Sequence, residues 1–170
     1  MRTMQYETTS GHTITLKALS PDLLMAVRRG VHFPDPPSYE VQLAGGAKQM
    51  VFHNETTIQT DEERAEWEAY KVKHAECVTL YHSRIIKLII RRSVVVDIPD
   101  GWEQAQAEFG IEIPENEDEK KEHFVCTELI GGATDLFALE RAVQMLSGFS
   151  AEELQKAQEF FRCQVERDIT

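Results

Sequence analysis

Two His-x-x-Cys pairs, His74-x-x-Cys77 and His123-x-x-Cys126, are the residues best placed by type and spacing to do chemistry. Positions i and i+3 share a helix face, so each pair could offer two metal ligands. Two such helices side by side could close a Cys2His2 zinc site. The spacings are not those of zinc fingers, and both residue types are common in helix cores. The expectation is therefore core packing, with no metal and no cofactor. Carboxylates gather at Asp61-Glu62-Glu63 and at Glu115-Asn116-Glu117-Asp118-Glu119. Each run falls at a predicted helix start, where the dipole favours acids, and reads as a solvated first turn rather than a catalytic dyad. The second run also lacks the glycine of a calcium loop. Arg84, Lys87, Arg91 and Arg92 form a basic patch in an acidic chain. It either complements a helix C-terminus or offers a docking point for an acidic or C-terminal peptide. No nucleophile elbow, P-loop, dinucleotide fingerprint or H-E-x-x-H occurs, so no catalytic residue is expected and the chain reads as non-enzymatic.

The elements that must position these residues centre on one long helix. The run Thr60–Arg92 opens on a capping box, Thr60-Asp61-Glu62-Glu63. Trp67, Tyr70, His74, Cys77, Tyr81, Ile85 and Leu88 recur at steps of three and four along one stripe. Residues 4–18 alternate in hydrophobicity around Thr-Ser-Gly-His and predict a β-hairpin with Met4, Tyr6, Ile14, Leu16 and Ala18 on one face. Ser20-Pro21 is a helix start, with Ser as N-cap and Pro at the first helical position. Phe33–Pro37 is an extended connector. Tyr39-Val41-Leu43 and Met50-Phe52 flank Ala-Gly-Gly-Ala as a second hairpin or strand-prone loop, and 34–59 is the segment expected to be mobile or ordered by a partner.

Beyond the long helix, Val94–Ile98 is expected to return as an extended segment. A short helix follows from Trp102 to Phe109-Gly110, then extended Ile111–Pro114. A helix over Glu115–Ile130 stops at Gly131-Gly132. Thr134 caps the next, with Leu136, Leu139, Val143 and Leu146 on one face. Ser150–Glu153 opens a last helix carrying Leu154, Ala157, Phe161 and Val165. The predicted fold is α+β, mainly α: N-terminal β-hairpins followed by a bundle of about five helices. A single domain spans 1–170, hairpin-rich over 1–59 and helical over 60–170. The core is expected to bring Trp67, Tyr70, Cys77, Tyr81, Ile85 and Leu88 against Leu139, Val143, Leu146, Leu154 and Phe161.

Composition narrows the partners. The 170 residues hold 18 Lys and Arg against 29 Asp and Glu, a net charge of −11, which opposes binding to nucleic acid or to an anionic membrane. Three widely spaced cysteines, Cys77, Cys126 and Cys163, are not a disulfide framework and fit a reducing cytoplasm. The first residues lack the apolar core of a signal peptide. The apolar run Ile85–Ile98 is broken by Lys87, Arg91 and Arg92, so no membrane span is expected.

The hairpin Tyr6–Pro21, the connector Pro34-Asp35-Pro36-Pro37-Ser38-Tyr39-Glu40-Val41, the long charged helix, Val96-Asp97-Ile98-Pro99-Asp100-Gly101-Trp102 and Glu128-Leu129-Ile130-Gly131 follow one another in an order that resembles small tail assembly chaperones of long-tailed phages and prophages. The resemblance implies an acidic, mostly helical protein of the host cytoplasm. Such a protein would hold the tape measure protein soluble until tail tube protein polymerises around it, without nucleotide or catalytic residues. A virion structural protein, such as a tail completion or adaptor subunit, is the alternative. Partners would be proteins, including a possible homo-oligomer. Tyr39, Val41, Leu43, Met50 and Phe52 are the candidate partner-binding residues, because a two-stranded hairpin cannot bury alternating apolar side chains by itself.

Overall fold

A computed structural model describes residues 2–43 and 46–148. The expected helix from Ser150, with Leu154, Phe161 and Cys163, lies outside them. Strand β1 (Thr3–Glu7) pairs antiparallel with β2 (Thr13–Lys17), setting Met4 opposite Leu16 and Tyr6 opposite Ile14, the predicted face. Helix α1 is Pro21–Arg29, its first turn bonded to the Ser20 carbonyl as a proline at the first helical position requires. Strands β3 (Ser38–Gln42) and β4 (Lys48–Phe52) form a second antiparallel pair. Helix α2 spans Asp61–Arg92. The short strand β5 (Val94–Val95) then adds to β2, so the N-terminal sheet has the order β1-β2-β5. Helices α3 (Trp102–Glu108), α4 (Glu117–Phe124) and α5 (Ala133–Leu146) complete the described chain. The fold is α+β, mainly α, with N-terminal antiparallel strands followed by helices. No helix among the described residues is long and apolar enough to cross a membrane.

The capping box is reciprocal, as its residues dictate. Thr60 Oγ1 accepts from the Glu63 amide at 3.1 Å, and Glu63 Oε2 accepts from the amides of Thr60 and Gln59 at 2.9 and 2.8 Å. These backbone bonds hold the Glu63 carboxyl below its usual value.

The described chain forms two compact units, one from 2–29 and 82–148 and the other from 30–81. The first has its core on β2, the C-terminal turns of α2 and α5: Leu16, Ile85, Ile89, Ile90, Leu139 and Val143 are all buried. Ile89 and Ile90 lie off the predicted stripe, while Leu88 on it is only half-buried. In the second unit the core is small and aromatic. Trp67 is buried and stacks on Tyr70, which meets His74, which meets Phe33, with centroids 5.3, 5.6 and 5.5 Å apart. Tyr70, Cys77 and Tyr81 of the stripe are half-buried.

Two further local expectations are corrected. The helix predicted over 115–130 begins at Glu117, with the Asn116 side chain capping the amides of Asp118 and Glu119, and widens after Phe124 into a π-helical turn, Val125–Leu129. There Thr127 Oγ1 donates back to the His123 carbonyl, and Ser10 Oγ donates to the Leu129 carbonyl at 2.6 Å, so carbonyls of the last turns have partners beside the regular ladder. Thr134 does not cap α5. The N-cap is Gly132, whose carbonyl begins the helix, and Thr134 is already inside it.

Candidate partner-binding surface

The β3–β4 hairpin decides which of the five candidate residues a partner could reach. Its register pairs Tyr39 with Val51, Glu40 with Met50 and Ser38 with Phe52. Facing residues share a side of the sheet, and sides alternate along a strand. Tyr39, Val41 and Leu43 therefore lie on one face with Val51, and Met50 and Phe52 lie on the other with Glu40 and Ser38. The first face turns inward: Tyr39, Val41 and Val51 are half-buried, and the Tyr39 ring lies 4.7 Å from that of buried His53. The second face is open. Met50 and Phe52 are each 59% exposed, and Leu43 at the hairpin tip is 45% exposed. Lys48 bonds Glu40 at 2.7 Å across the strands on this open face. The five residues thus do not form one patch. They divide into an inward pair, Tyr39 and Val41, and an accessible set, Leu43, Met50 and Phe52.

The hairpin is anchored at its exit. The His53 amide donates to the Pro37 carbonyl at 2.7 Å, and Asn54 Oδ1 closes an Asx turn by accepting from the amides of Thr56 and Thr57, both at 3.0 Å. That turn leads into the capped start of α2.

The other motifs resolve differently. Cys77 donates from Sγ to the His32 carbonyl, and His74 stacks between Phe33 and Tyr70. His123 lies against Trp102 with centroids 5.9 Å apart, while Cys126 is exposed, its thiol pushed up by desolvation. Among the described residues no group of three or more His, Cys, Asp and Glu could hold a metal ion.

Three residues of the basic patch face carboxylates of α4. Arg91 donates from Nε and Nη2 to Glu122 at 3.1 and 2.8 Å, Lys87 lies 3.6 Å from Glu122, and Arg92 lies 3.4 Å from Asp118. Glu122 and Asp118 of α4 are thus counter-charges for Lys87, Arg91 and Arg92 at the α2 C-terminus. Lys121 adds to this contact by donating from Nζ to the carbonyls of Arg91 and Val94, and desolvation lowers its pKa. We expect a double-mutant cycle on Arg91→Ala and Glu122→Ala to give a coupling of about 1 kcal/mol, measured by urea denaturation. A coupling near zero would show these carboxylates to be ordinary solvated charges.

One cluster escaped sequence reasoning. Asp135 in the first turn of α5 is fully buried, and its carboxylate accepts from four groups. These are the Thr9 amide at 3.0 Å, Thr9 Oγ1 at 2.8 Å, the Gly131 amide at 2.8 Å and the Tyr6 hydroxyl at 3.0 Å. Burial opposes the charge, but these bonds outweigh it and hold the carboxyl below its usual value. Burial and the adjoining carboxylate raise the Tyr6 phenol. Gly131 is required here by space: a Cβ would lie 2.3 Å from Thr9 Oγ1. At the other end of α5, Ser147 Oγ accepts from the Leu19 amide at 2.9 Å, so the helix is fixed to the first hairpin region at both ends. With every lone-pair direction taken by the protein's own donors, Asp135 is a structural latch. A Gly-Gly-x-x-Asp spacing was the only signal for it in the sequence.

No protein-family model, curated protein or solved structure matches the chain.

Proposed function

We propose that the protein is a non-enzymatic binding protein that acts as a tail assembly chaperone, covering apolar segments of a tape measure protein during phage tail assembly. The observation that supports this reading is the open face of the β3–β4 hairpin. Met50 and Phe52, with Leu43 beside them, present large apolar side chains to solvent on a strand pair that no third strand joins among the described residues. Such a surface can accept an apolar helix face or an added strand without nucleotide chemistry. The net charge of −11 would keep a chaperone–client complex dispersed.

Replacing residues 39–52 by a short Gly/Ser bridge tests the proposal. We expect the far-ultraviolet circular dichroism to retain its helical signal while a co-expressed tape measure fragment moves to the insoluble fraction. Met50→Ser with Phe52→Ser should do the same with less disturbance of the fold. A variant of either kind that keeps the fragment soluble overturns the reading.

A further inference from the structure

We draw no further inference here: the strongest candidate, the exposed apolar side of α5 formed by Phe137 and Met145, is an open helix face, and nothing in the structure shows what covers it.

Discussion

Asp135→Ala is expected to lower the unfolding free energy by about 3 kcal/mol or more, read from urea denaturation. Truncation leaves the Thr9 amide and hydroxyl, the Gly131 amide and the Tyr6 hydroxyl without their acceptor at a part-buried site. Each stranded donor costs about 1–3 kcal/mol, with partial relaxation offsetting the sum. Asp135→Asn keeps the shape but turns an amide group toward donors, so it too should destabilise. The pH dependence has a defined sign. The folded carboxyl titrates below its usual value of 3.8, so its stabilisation is fully present above that pH and lost as pH falls through the lower, folded value. The parent should therefore lose more stability than Asp135→Asn when acidified below about pH 4. Parallel acid profiles for the two proteins would show that Asp135 is not the latch the geometry indicates. Gly131→Ala should mimic part of the loss, because its Cβ collides with Thr9 Oγ1.

The second large effect belongs to the C-terminal turns of α2. Ile89→Ala should cost about 2–5 kcal/mol, since its side chain is fully buried, as are Leu16, Ile85 and Leu139 of the same unit, and truncation leaves a cavity. Val72→Ala, at 59% exposure on the same helix, should change stability by less than about 0.5 kcal/mol. The pair separates burial from helix propensity, because both changes replace a β-branched residue by the best helix former and propensity alone predicts a gain at each. Equal losses at the two sites would mean that the exposed side of α2 contributes to stability as much as its buried end.

The stripe illustrates how far the sequence reached. Spacing identified α2, its ends and one inward side, and Trp67 and Ile85 are buried as expected. It did not identify Ile89 and Ile90, because a helix entering a sheet-backed core at its last turns is covered on more than one side. Periodicity records an average face and not local coverage.

Local chemistry was determined by the sequence alone. The reciprocal bonds of Thr60 and Glu63 and the Ser20-Pro21 start each depend on groups within a few residues of one another. Backbone geometry sets such groups side by side without help from distant parts of the chain. Tertiary structure alone decided the candidate surface and the latch. Facing residues of β3 and β4 share a side, so which apolar side chains stand together depends on the register between the two strands. That register sets Met50 opposite Glu40 and leaves it on the face away from Tyr39. The Asp135 carboxylate meets donors 126 and 129 positions earlier in the chain, and Arg91 meets Glu122 31 positions later. Carboxylates look alike in sequence. Which becomes a buried latch and which a counter-charge is set by the elements brought against each, since long-range proximity is a property of the packed chain and not of residue spacing.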